Sequence, residues 1–102
     1  MEIMVTLTGI SHYIDWTLLQ PNQEVSLRKE PHNQYDTEAI AVYMNGITQI
    51  GNVANSVYSV AKGTYSAGRL YDKIGNEAKA RIMVVMKDAA ILTVHVNEEY
   101  EV

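Results

Sequence analysis

The sequence contains no cysteine and no phenylalanine. Without cysteine there is no disulfide framework, no thiolate metal site and no thiol nucleophile. That residue set suits a reducing compartment, and the cytoplasm is the expected location. Without phenylalanine, the aromatics are seven Tyr and one Trp. Tyr carries a polar hydroxyl, so these rings read either as the rim of a small core or as half-exposed recognition groups. Positive charge is scarce as well: eight Lys and Arg stand against twelve Asp and Glu, a formal net charge of −4. A protein that grips duplex DNA over many phosphates shows a basic surface. The chain as a whole does not fit that mode. Any nucleic-acid binding would be local, over few nucleotides, and driven by stacking and hydrogen bonds. No run approaches the roughly 18 apolar residues of a membrane span. The start, Met1-Glu2-Ile3-Met4, lacks the basic and apolar regions of a signal peptide.

Catalytic signatures are missing too. There is no GxxxxGK[ST] phosphate loop, so ATP hydrolysis by this chain is not expected. There is no HExxH, and His12, His32 and His95 do not have metal-ligand spacing. His95, in an apolar strand, reads as a satisfied, half-buried histidine. Ser11 and His12 are neighbours, and in extended chain they would point to opposite faces, which disfavours a Ser–His nucleophile. Asp15, Asp36 and Glu38 are conceivable Mg²⁺ ligands, but their spacing does not support a nuclease. A binding protein without cofactor or metal is the expectation.

What remains is a chain of 102 residues, 47% hydrophobic, with the length of one domain. Alternating apolar residues predict strands over residues 3–8 (Ile3, Val5 and Leu7 on one face), 24–29, 39–44 and 48–53. Pro31 ends the second, because it has no N–H for a ladder. Asn45-Gly46 tolerates φ > 0 at both positions and predicts a type I′ hairpin. Asn55 or Ser56 can cap a helix over residues 57–67, bent at Gly63, with Tyr58 and Tyr65 on one face. Residues 68–74 read as a further helical turn or two. Residues 79–86 and 91–96 read as a last hairpin, with Lys87-Asp88 near its turn. Met44, Met83 and Met86 are read as packing residues. Residues 1–97 form one domain and 98–102 an acidic tail. The fold class is mainly β with a helical insertion: a small, strongly bent antiparallel sheet or partly open barrel.

The informative stretch runs from Arg28 to Val53. In Pro31-His32-Asn33-Gln34-Tyr35-Asp36-Thr37-Glu38, the side chains of Asn33 and Asp36 can fold back onto nearby backbone amides. They would fix a tight loop and display Tyr35. Such a loop can hold one terminal nucleotide, the ring stacking on a base and the carboxylate accepting a hydroxyl proton. Equally, Asn33 and Asp36 can simply build the loop. The residues alone leave both readings open.

This stretch resembles the HIRAN domain family. The matching residues are Glu30, Pro31, Asn33, Tyr35, Asp36, Ala39, Ile40, Val42, Ile50, Gly51 and Val53, and Val5-x-Leu7-x-Gly9-Ile10 resembles the family's first strand. Ala54 to Lys73 resembles the helical part that follows in free-standing members. The resemblance implies a small β-barrel, OB-like or SH3-like in outline, with one or two helices packed on it. It implies capture of the 3′-hydroxyl end of single-stranded DNA, in a family whose eukaryotic members are fused to helicase-like ATPases that remodel stalled replication forks. By position, Asp36 would hold the terminal hydroxyl. Tyr35 would stack on a base and offer its carbonyl, His12 would stack on a second base, and Tyr13 would contact a phosphate. Three positions depart from the DNA-binding members: Ser11 replaces an arginine, Asn52 a histidine and Asn55 a lysine. Losing two cations removes about two phosphate contacts from the salt-dependent part of binding. A protein-interaction or regulatory module on the same fold is the alternative, favoured by the acidic balance.

Overall fold

A computed structural model describes residues 1–96; the expected acidic tail, 98–102, and Asn97 lie outside the described residues. Six antiparallel strands follow the sequence pattern closely: β1 (Glu2–Thr8), β2 (Glu24–Lys29), β3 (Ile40–Met44), β4 (Thr48–Val53), β5 (Glu77–Met86) and β6 (Ala89–His95). They close into a barrel in the order β1-β4-β3-β2-β5-β6, with β6 returning to β1. Closure removes the free edges that a partly open barrel would leave.

The alternation read from the sequence determines which way each side chain points. Ile3, Val5 and Leu7 from β1, Val25 and Leu27 from β2, and Ile40 and Val42 from β3 enter the barrel. Ile50, Ile82, Leu92 and Val94 complete it, and Ile10, Leu70 and Ile74 join the same core. Among the described residues no aromatic ring belongs to the fully buried set; Trp16, Tyr65 and Tyr71 pack half-buried against it. Removing one of the central residues, as in Leu7→Ala, costs about 2–5 kcal/mol by the usual cavity cost.

The Asn45-Gly46 turn forms as expected. Both residues have positive φ (56° and 74°), and the Ile47 N–H reaches the Met44 carbonyl at 3.4 Å. The β5–β6 turn uses Asp88 in the same left-handed region, at φ 57°.

Strands β1 and β4 pair only at Leu7–Val53 and Thr8–Asn52. The rest of β1 on this side is covered by the segment after β4, and here the helical expectation fails. Residues 57–64 run through turns and bends, Tyr65 bridges to Val5, and the one α-helix among the described residues is the short α1 (Ala67–Tyr71). The reason is that this segment's polar groups are spent on β1. The Ala61 N–H donates to Thr6 Oγ1 (3.1 Å), Thr64 Oγ1 lies 2.9 Å from the same oxygen, and the Tyr65 N–H donates to the Met4 carbonyl (2.8 Å). Thr6, the buried polar residue of β1, is thereby satisfied. Ser56 caps only a turn, its Oγ accepting from the Tyr58 N–H, while Ser66 caps α1 by accepting from the Arg69 N–H. Tyr58 and Tyr65 therefore share no helical face: Tyr58 is exposed and Tyr65 half-buried.

Three smaller expectations are also corrected. His95 is exposed and pairs with Glu2 at 3.1 Å, because it points outward at the end of β6. Met83 is exposed because it follows the inward Ile82, and Met86 because the register of β5 against β6 shifts between Ile82 and Val84; of the three only Met44 packs against the core. Ser11 and His12 lie in a 3₁₀ turn (Ile10–His12), not in extended chain.

Candidate nucleic-acid interface

The loop between β2 and β3 is built as its residue types suggest. Asn33 Oδ1 accepts from the backbone N–H groups of Tyr35 (2.9 Å) and Asp36 (3.0 Å). Asp36 Oδ1 then accepts from the Glu38 N–H at 2.9 Å. The ends of the loop are tied by the Glu30 N–H, which donates to the Ala39 carbonyl at 2.8 Å. A loop held by its own side chains costs little further entropy on binding. The consequence is at its tip: the Tyr35 ring stands 88% exposed, with no core to fill.

Asp36 is half-buried, and its other oxygen is also engaged. Asn55 Nδ2 donates to Asp36 Oδ2 at 3.0 Å, and Asn55 Oδ1 accepts from the Gly68 N–H at 2.8 Å. One amide thus joins the loop to α1. Gly68 leaves room at this junction: a Cβ there would lie 2.7 Å from Glu38 Oε1 and 3.3 Å from Asn55 Oδ1, so the exposed Glu38 side chain would have to swing away. Each carboxylate oxygen of Asp36 has one donor and room for another, so the group is oriented and still able to accept.

The second group of residues lies beyond β1. Gly9, with φ 73°, turns the chain into the 3₁₀ turn that carries Ser11 and His12. His12 and Tyr13 are exposed. The Tyr13 hydroxyl approaches Asn52 Oδ1 at 3.5 Å, the outer limit of a hydrogen bond. Residues 52–55 therefore touch both groups, Asn52 through Tyr13 and Asn55 through Asp36. Gly51, one residue earlier, lets β4 approach β1: a Cβ would lie 2.5 Å from the Thr8 carbonyl oxygen and 2.7 Å from a Leu7 methyl.

Residue identity alone did not reveal one interaction. The Ser11 N–H donates to Asp88 Oδ1 at 2.7 Å, and the Ser11 hydroxyl donates to Asp88 Oδ2 at 3.1 Å. Ser11 thus holds a carboxylate from the β5–β6 turn. Seventy-seven residues separate the two, so no local signal links them.

The cations also sort into two kinds. Arg28 lies against Glu77 (2.9 Å, a charge contact), the Gly46 carbonyl and the Tyr43 ring. Lys29 donates to the Ile74 carbonyl at 2.8 Å and covers the Tyr71 ring. Both hold the barrel together. Lys62 and Arg69 instead line an open groove of about 380 Å³ that also includes Asn55. No group of three His, Asp or Glu is placed to hold a metal ion among the described residues. No helix among them is long and apolar enough to cross a membrane.

No curated protein matches the chain. Two solved structures are similar to it. One is the HIRAN domain of human HLTF, at 20% identity and TM-score 0.66, with 97% of this chain and 78% of that one covered. The other is a structural-genomics protein from Lactobacillus plantarum, at 20% identity and TM-score 0.60, with 95% and 98% covered. At these identities the likeness concerns the fold, a small antiparallel barrel. The family model for the HIRAN domain matches residues 1–83, which include all of β1 to β4, the Asn33–Asp36 loop and α1. The chain belongs to the HIRAN domain family.

Proposed function

We propose that this domain is a non-catalytic module that captures the 3′-hydroxyl end of single-stranded DNA. Membership of a family of DNA-binding modules supports nucleic-acid binding in general. The observation that carries the finer reading is Asp36: an oriented, half-buried carboxylate with spare acceptor capacity, next to a displayed ring. Asp36 and the Tyr35 carbonyl take the terminal hydroxyl. Tyr35 and His12 stack on bases, and Asn33, Asn52, Asn55 and Tyr13 hold the surrounding loops and the first phosphate. The wider context of the family gives the corresponding role, DNA repair or replication-fork processing beside a helicase-like ATPase. Fluorescence anisotropy with a short labelled strand tests the reading. A 3′-hydroxyl end is expected to bind much more tightly than a 3′-phosphate end, and equal binding of the two would count against it.

A second reading has its own observation. Asp88 brings negative charge onto Ser11, the residue before His12 in the chain. This favours a protein-interaction module on the same fold. It predicts no salt-dependent binding of single strands and a protein partner instead.

A further inference from the structure

The end-capture reading, with the first phosphate at Tyr13, leaves open which way the strand continues beyond it. We propose that it runs along the groove between the 55–64 segment and α1, with Lys62 and Arg69 as its phosphate contacts. This inference rests on end capture at Asp36.

The groove begins at the site itself. Asn55, which holds the Asp36 carboxylate, is one of its walls, and Ser66 and Arg69 continue it along α1. Lys62 and Arg69, like Lys73 and Lys87, form no ion pair among the described residues, and of these four only Lys62 and Arg69 line the groove. By contrast Arg28, Lys29 and Arg81 are each bonded to a carbonyl of the chain. The Arg69 guanidinium is held 4.0 Å over the Tyr65 ring, so its planar fork is positioned before a phosphate arrives. Tyr58, next in the chain to the lining residue Val57, is 96% exposed and offers a ring to a further base. The other exit, past Ser11, ends against the Asp88 carboxylate. Glu38, whose carboxylate lies beside Gly68, is not among the residues that line the groove. In a chain of net charge −4, two unpaired cations in one groove set the direction of a polyanion.

The test is anisotropy of the full chain with labelled strands of two and eight nucleotides over a range of salt. Native protein is compared with the Lys62→Ala/Arg69→Ala variant and with Asp36→Asn. Both cations lie at the surface of the groove, so the double variant should keep the native thermal transition. Its binding of the eight-nucleotide strand should weaken, and the slope of log K against log salt should become shallower by about 0.7 for each phosphate no longer neutralised. Binding of the two-nucleotide strand and the preference for a 3′-hydroxyl should be kept. Lys62→Arg/Arg69→Lys should restore the slope. If native protein shows Asp36-dependent end capture but the double variant keeps the native slope, the proposed path is wrong and end capture stands. If the double variant also loses the hydroxyl preference, the two cations act at the terminus and the path is again wrong. If native protein captures no 3′ end, both readings fall together.

Discussion

The Asn55 amide bridges the Asp36 carboxylate, 3.0 Å away, and the Gly68 N–H, 2.8 Å away. A neutral residue here does what a lysine cannot: it donates to the acid and accepts from the backbone at once. Asn55→Ala removes both bonds and leaves Asp36 held by the Glu38 N–H alone. The expected result is a loss of 3′-hydroxyl preference of about tenfold, on the scale of one hydrogen bond to a charged group. Asn55→Asp should be worse, because it sets two carboxylates against each other. Titration of each variant with hydroxyl- and phosphate-ended strands reads the difference.

The Ser11–Asp88 pair gives a prediction of opposite sign. Asp88→Asn keeps the left-handed turn, which Asn adopts readily, and removes one negative charge bound at Ser11, next to His12 in the chain. Affinity for a single strand should rise several-fold at low salt, and the gain should fade as salt screens it. Anisotropy at two salt concentrations decides it.

Gly51 makes a prediction about the barrel. A Cβ would meet the Thr8 carbonyl at 2.5 Å, and the backbone has φ 156°, where side chains are rarely found. Gly51→Ala must push β1 from β4 at their short pairing, Leu7–Val53 and Thr8–Asn52. A cost of about 1–3 kcal/mol is expected from such overpacking, seen as a lower melting temperature. Gly63→Ala, with open space around it, meets no such clash and bears only the cost of its positive φ.

Asp15 provides the pH dependence. Its carboxylate accepts from the Thr17 N–H (3.0 Å) and hydroxyl (2.7 Å), and these bonds, the backbone one first, hold its carboxyl below the usual carboxylate range. A depressed folded-state pKa adds stability above the unfolded-state pKa and loses it as pH falls through the folded value. Asp15 therefore contributes fully at neutral pH and progressively less below about pH 4. Asp15→Asn keeps the acceptor and removes the charge. Its melting temperature should fall short of the native one at pH 6 and converge with it at strongly acidic pH.

The barrel was largely legible in the sequence because its strands obey simple rules. Alternation in Ile3-Val5-Leu7, a stop at Pro31 and the Asn45-Gly46 turn are local signals, and each strand appeared within about two residues of its expected place. The helical turn expected over 68–74 is present as α1, but the helix expected over 57–67 was misread for a physical reason. Residues 57–66 have the composition of a capped helix, but the N–H groups of Ala61 and Tyr65 are taken by Thr6 and Met4, at the other end of the chain's first half. Tertiary partners outweighed local preference. The Asn33–Asp36 loop was legible for the same reason as the strands: Asx side chains bond amides two or three residues on. Two features of the candidate site were not. Ser11–Asp88 and Asn55–Asp36 join distant parts of the chain, and only closing the barrel brings them together.

The most direct measurement pairs one atom on each side of the proposed hydrogen bond. Binding of a strand ending in a 3′-hydroxyl and of one ending in a 3′-deoxy sugar is measured with native protein and with Asp36→Asn. If Asp36 accepts the terminal hydroxyl, removing either group should weaken binding about ten- to a hundredfold, as expected for a hydrogen bond to a charged group. Removing both should cost little more than removing one, a strong coupling in the cycle. Additive effects, or native binding indifferent to the hydroxyl, would contradict end capture at Asp36.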